Sequence, residues 1–106
     1  MLWAGANPNA RSKYGRTALE AAASNGRAEI VKLLLEKGAD VNARLDDGGT
    51  ALHGAVYHSH LDVVKLLIQA GAGVNVEAKG GITPLQLAMR RKNPEIVRMI
   101  KDAGGR

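Results

Sequence analysis

At 106 residues the chain has room for one modest domain, which excludes catalytic architectures that need two lobes or an eight-stranded barrel. Hydrophobic residues at 45% and charged residues at 24% are enough apolar matter to fold, and no apolar run approaches the roughly 18 residues of a membrane span. The net charge of +5 is uneven: residues 1–53 carry 7 basic against 6 acidic side chains, and residues 54–106 carry 8 against 4.

Cysteine is absent, which excludes disulfides, thiolate metal centres and cysteine nucleophiles. Aromatics are 3%, so the core must be built from Leu, Val, Ile and Ala, a composition suited to closely packed helices. The first six residues lack the charged leader and apolar stretch of an export signal. An intracellular location is expected, cytoplasmic or nuclear.

In chain order, the pattern declares itself as a repeat. A shift of 33 residues superimposes Gly15, Thr17, Leu19 and Ala22 on Gly48, Thr50, Leu52 and Ala55, and then on Gly81, Thr83, Leu85 and Ala88. Residues 15–47 and 48–80 agree at 13 of 33 positions without a gap. Fixed periods of this length are the mark of stacked repeat architectures. The expected division is a single domain over 1–106, with a partial repeat at 1–14 and repeats at 15–47, 48–80 and 81–106.

Each unit begins with a short Ala-rich helix. Thr17 is placed to cap the first of these, with Glu20 completing a capping box; in the third unit Pro84 follows Thr83 and suits the first helical position. Ala22, Ala55 and Ala88 are small where two antiparallel helices must approach. A second helix follows, in which apolar residues recur three and four apart: Ala28–Glu36, then Leu61–Ile68, then Ile96–Ile100. Each stops at a glycine, Gly38, Gly71 or Gly104, suited to the left-handed conformation just past a helix end. The polar stretch Asp40–Gly48 reads as a turn-rich finger, in which Asn and Asp bond their own backbone.

The strings Gly-Arg-Thr-Ala-Leu-Glu (15–20), Gly-Gly-Thr-Ala-Leu-His (48–53) and Gly-Ile-Thr-Pro-Leu-Gln (81–86), with Lys-Leu-Leu-Leu-Glu-Lys-Gly-Ala-Asp-Val-Asn-Ala (32–43), resemble the ankyrin repeat. The resemblance covers nearly the whole chain. It implies an all-α fold, a solenoid of stacked helix-turn-helix units with β-hairpin-like finger loops. Two departures stand out: the family's His survives only as His53, with Glu20 and Gln86 in its place, and the glycine between the helices survives only as Gly26, with Ser59 and Lys92 in its place.

The ends are unequal. By the 33-residue offset Met1 and Leu2 fall in the last turn of an outer helix whose partner is missing, so an apolar side is expected to be open to further repeats, a partner or self-association through the uncapped N-terminal end. Trp3 is expected to pack on the missing element. Arg90, Arg91, Lys92, Arg98 and Lys101 make the last repeat look like a polar cap.

Chemical motifs are scarce. No phosphate-binding glycine loop, dinucleotide fingerprint or nucleophile elbow is present. His53, His58 and His60 raise the question of zinc, but His53 occupies the repeat's signature position, where an inter-repeat hydrogen bond is expected, and His58 and His60 flank a turn where solvation is expected. Asp46 and Asp47 sit together without a base. No enzyme activity, metal or cofactor is therefore expected.

The resemblance implies a non-enzymatic protein-protein interaction module or scaffold, with the partner on the concave side formed by finger tips and inner helices. By position, the candidate contact residues are Arg11, Lys13, Tyr14 and Arg16 in the first finger, Arg44, Asp46 and Asp47 in the second and Lys79 and Ile82 in the third. Asn25, Tyr57, His58, Arg90 and Arg91 are the candidates at the inner-helix ends. These are positions where the repeats differ while the framework agrees. Tyr and Arg dominate interface energetics, which favours Tyr14, Tyr57, Arg16, Arg44 and Arg90. The basic excess favours a partner with an acidic surface or segment. Nucleic-acid binding through the basic C-terminal repeat is the alternative; two tyrosines for stacking and acidic residues in the fingers weigh against it.

Overall fold

Six short helices form three antiparallel hairpins in a computed structural model that describes residues 7–106; Met1, Leu2 and Trp3, with the expectations attached to them, lie outside the described residues. The helices are α1 (Ala18–Ser24), α2 (Ala28–Glu36), α3 (Ala51–Tyr57), α4 (Leu61–Gln69), α5 (Pro84–Arg90) and α6 (Pro94–Asp102). Helices of seven to nine residues are marginal alone. Their stability comes from packing in two layers. The inner layer is α1 on α3 on α5, and the outer layer is α2 on α4 on α6.

The core is aliphatic, as the composition requires. Leu19, Leu52, Val56, Val63, Val64, Leu67, Ile96 and Ile100 are buried, with Ala22, Ala55 and Ala88 between inner and outer helices. Thr17 and Thr83 accept the backbone N–H three residues on, at 3.1 and 3.2 Å. The predicted capping box at Thr17 is only half formed, because the Glu20 carboxylate is drawn away to Arg16 Nε (2.9 Å) and Ser24 Oγ (2.7 Å). In the third unit the box closes, with Thr83 N–H donating to Gln86 Oε1 at 3.2 Å.

Every outer helix ends in the same way. Past α2, the N–H of Ala39 donates to the Leu34 carbonyl (3.0 Å) and that of Gly38 to the Leu35 carbonyl (3.1 Å), with Gly38 at φ +93°. Gly71 and Gly104 repeat this at φ +92° and +97°, which is the Schellman closure that glycine makes without steric cost.

Between helices the left-handed residue is Gly26 (φ +70°) in the first hairpin but Ser59 (φ +58°) and Lys92 (φ +55°) in the others, so the two departures from glycine keep the backbone and bear its strain.

The fingers are hairpin-like: Ser12 N–H donates to Arg16 O (2.7 Å), Leu45 N–H to Gly49 O (2.8 Å) and Ala78 N–H to Ile82 O (2.8 Å). Among the described residues only Ala78 and Ile82 form a β-bridge, and there is no strand. The fingers also join edge to edge, through Asp46 N–H to Tyr14 O (3.0 Å) and Lys79 N–H to Asp47 O (2.8 Å).

Asn9, Asn42 and Asn75 do more than hold their own turns. Each amide spans to the next repeat. Asn9 Nδ2 donates to Gly38 O (3.2 Å) while Asp40 N–H donates to Asn9 Oδ1 (2.6 Å). Asn42 does the same with Gly71 O (3.4 Å) and Gly73 N–H (2.7 Å), and Asn75 with Gly104 O (3.1 Å) and Arg106 N–H (2.9 Å).

Ser59→Gly is expected to raise stability by up to about 1 kcal/mol by relieving the left-handed backbone. Gly26→Ala is expected to lower it by more than that, because a Cβ there would also lie 2.7 Å from the His60 ring. Urea denaturation of both variants measures the two effects.

Candidate functional site

The fingers and the inner helices enclose a shallow groove of about 370 Å³. Its floor is the inner-helix surface at Glu20, Ser24, His53 and Gly54, and its walls include Arg16, Asp47, Tyr57, His58, Lys79 and Ile82. Six of the predicted contact residues thus share one concavity. Gly54 lets the first two inner helices close up, since a Cβ there would fall 2.1 Å from Ser24 Oγ.

Tyr57, at the C-terminal end of α3, is 48% exposed. The Arg91 guanidinium lies over its ring at 4.8 Å, and the His58 ring meets it edge-on at 5.0 Å. This pairing brings Arg91 from the following hairpin to the groove's edge. Asn25 and Arg90 lie outside the groove lining. Asn25 Nδ2 donates to Ala21 O (2.9 Å), closing its own helix, and Arg90 is exposed at the end of α5.

The first finger is placed differently. Tyr14 is 64% exposed at its tip, with Lys13 Nζ 5.3 Å from the ring centroid. Arg11 and Arg44, expected as contact residues, hold the fingers together: Arg11 Nη1 donates to the Arg44 carbonyl, and Arg44 Nη2 to the Glu77 carbonyl. Arg44 Nε also donates to Gly48 O at 3.0 Å. Each arginine therefore reaches the equivalent position one repeat on. Their recurrence 33 residues apart was the sequence signal for a structural role. Asp46 lies beside Gly15, and Asp47 Oδ1 accepts from Gly49 N–H (2.8 Å), closing the second finger's own turn.

His53 makes the inter-repeat hydrogen bond expected of it. The Ile82 carbonyl can only accept, so Nε2 carries the proton and donates across 3.0 Å; Nδ1 then accepts from Thr50 N–H (3.1 Å) and Thr50 Oγ1–H (2.9 Å). Burial holds the His53 pKa below its ordinary 6.5, against the upward pull of the Ile82 and Val76 carbonyls and of Asp47; Arg44 adds to the lowering.

Glu20 occupies the same position one repeat earlier. A carboxylate has no proton for a facing carbonyl, so it turns to Arg16 and Ser24 instead.

The expectation that His60 is solvated does not hold. Its Nε2 lies 3.0 Å from the Ser24 carbonyl, and its ring covers Gly26. His58, by contrast, is exposed. Among the described residues no three His, Cys, Asp or Glu side chains converge in a geometry that could hold a metal ion.

Repeated helical hairpins stacked in two layers, with a row of linked fingers along one edge, define a solenoid repeat protein. The family profile described as ankyrin repeats (3 copies) matches residues 1–78 and 43–105. The chain belongs to the ankyrin-repeat family, whose repeats are in general protein-protein interaction modules. No curated protein is similar enough to count as a match. No helix among the described residues is long and apolar enough to cross a membrane.

Because the folded pKa of His53 is depressed, the unfolded chain binds the proton more readily. The His53 contribution is present above the unfolded value near 6.5 and is lost as pH falls through it toward the folded value. Unfolding free energy is expected to drop between pH 7.5 and pH 5, and His53→Gln, which copies Gln86, is expected to flatten that drop. Urea titrations of both proteins across this range provide the check.

Proposed function

We propose that the chain is a non-enzymatic binding module that holds an acidic surface or segment of a partner protein in the groove between fingers and inner helices, inside the cell. The observation that carries this reading is the Tyr57–Arg91 pair. A half-exposed aromatic already stacked by a guanidinium from the next repeat presents area and charge together, and being ordered beforehand it loses little freedom when a partner covers it.

The charge around it supports an acidic partner. Arg16 is matched by Glu20 at 2.9 Å, the one ion pair among the described residues. Asp47 is engaged by the Gly49 N–H. Among the described residues Lys79 and Arg91 have no acidic partner within ion-pair distance, which leaves two cations at this end of the groove. Their field speeds encounter and selects against basic partners more than it adds affinity.

Affinity capture with the full chain as bait, repeated with Tyr57→Ala, Lys79→Glu and Asn25→Ala, tests the proposal. The partner protein captured by the parent chain is expected to bind Tyr57→Ala at least tenfold more weakly, about 1.4 kcal/mol. Lys79→Glu is expected to lose it most at low salt, and Asn25→Ala to keep it unchanged. Equal capture by all the variants, or recovery of nucleic acid that competes for the same surface, would overturn the assignment.

A further inference from the structure

The two ends of the stack are the separated halves of one of its own interior junctions. Between α4 and α6 runs a trough whose walls come from α4, through Leu61, Lys65 and Ile68, and from α6, through Glu95, Arg98 and Met99. Shifted forward by one 33-residue period, the α4 wall becomes Pro94, Arg98 and Lys101, which line the face beyond α6. Shifted back by two periods, the α6 wall becomes Glu29, Lys32 and Leu33, which line the face before α2. What α4 offers α6 inside the molecule, α6 offers outward at one end, and α2 presents the matching surface at the other.

Burial shows that both end surfaces are of the interior kind. Ile30 is 47% exposed, whereas Val63 and Ile96 at the same repeat position are fully buried. Met89 is 59% exposed, whereas Ala23 and Val56 are fully buried. Ala18 is exposed where Ala51 and Pro84 are buried. The basic residues expected to cap the last repeat are exposed there, but they surround an uncovered Met89 and do not seal it.

The charges also match end to end. The face before α2 carries Glu29 and Glu36 with Lys32, and the face beyond α6 carries Lys92, Arg98 and Lys101 with Asp102. This is the sense of the interior junction, where Lys65 of α4 stands opposite Glu95 and Asp102 of α6.

We propose that a second copy of this chain stacks on the first head to tail, the α5–α6 face of one copy covering the α1–α2 face of the next and continuing the solenoid in register. The departures in kind from the interior pattern are Asp102 in the place of Gln69 and Lys101 in the place of Ile68. The aliphatic stem of Lys101 covers apolar surface while the ammonium reaches the acidic edge at Glu29 and Glu36. The contact joins unlike faces, so each added copy leaves a fresh face at either end and growth does not stop at two. The proposal is independent of the groove, which stays open along the extended stack.

Sedimentation velocity of the full chain, in a concentration series up to about 1 mM where weak contacts register, tests it. The average mass is expected to climb past twice that of one chain without a plateau, and to fall back at high salt. Ile30→Glu and Met89→Glu, both at exposed positions, are each expected to stay at the mass of one chain. An equimolar mixture of the two is expected to reach twice that mass and stop, because it retains one intact α5–α6 face and one intact α1–α2 face. A parent chain that remains single at every concentration would overturn the proposal. So would a Met89→Glu protein that doubles on its own through two α1–α2 faces, or a mixture that does not associate.

Discussion

No helical hairpin in this chain can cover its own apolar surface, and that constraint governs everything else in the structure. With seven- and nine-residue helices, each hairpin has an inner and an outer helix whose apolar stripes face a neighbour as much as each other. Burial is completed only by stacking, which is why Val63 and Ile96 are sealed by the preceding outer helices while Ile30 is half exposed. The hydrogen bonds follow the same logic. An Asn amide has one donor end and one acceptor end, and in Asn9, Asn42 and Asn75 the two ends meet the carbonyl of the glycine past the next outer helix and the N–H two residues further on. Each repeat thereby fixes how the next one leaves its helix, and the finger that follows is set in line with the last.

This coupling explains what could be read from the sequence and what could not. Features internal to a repeat recur at a fixed step and are visible without coordinates: the threonine caps, the closing glycines, the small alanines between helices, and the left-handed sites at Ser59 and Lys92, whose role is given away by Gly26 one repeat earlier. Contacts between repeats were legible only where a residue type signals them, as His53 does. The pattern Thr-x-x-Glu points to a local capping box at Glu20, whereas the carboxylate answers to Arg16 and Ser24. His60 has no counterpart in the other repeats, Arg27 and Asn93 standing at its position, so periodicity could not reveal its bond to Ser24. Arg11 and Arg44 recur one period apart, but Glu77 interrupts the series and gives the position the look of variable surface.

The groove too is divided between framework and free side chains. Arg11 and Arg44, which hold the fingers together, and Asp47, which closes its own finger's turn, spend their polar atoms on backbone carbonyls and N–H groups of this chain. Those that remain, Tyr57, His58, Lys79 and Arg91, gather around the second and third repeats, where the basic excess of the C-terminal half also lies. Both finger junctions are clasped alike, by Arg11 on the Arg44 carbonyl and by Arg44 on the Glu77 carbonyl, so the concave surface differs along its length in the side chains it presents and not in how it is held.

The two interior junctions beneath that groove are built from different chemistry. Between the second and third repeats, His53 donates to the Ile82 carbonyl, a directional bond that requires a neutral imidazole for its Nδ1 to serve Thr50 at the same time. Between the first and second repeats, the glutamate at the His position cannot make that bond, and close packing takes its place. Gly54 has no Cβ, so Ser24 and Glu20 of α1 sit directly against α3, and His60 closes the far side on the Ser24 carbonyl. A side chain at position 54 would displace the Ser24 hydroxyl and disturb the groove floor at the first repeat, whereas loss of the His53 bond loosens the end that carries the Tyr57–Arg91 pair. The same stacking constraint is met twice within one molecule, at one junction chiefly by close packing around Gly54 and at the other by the directional bond from His53.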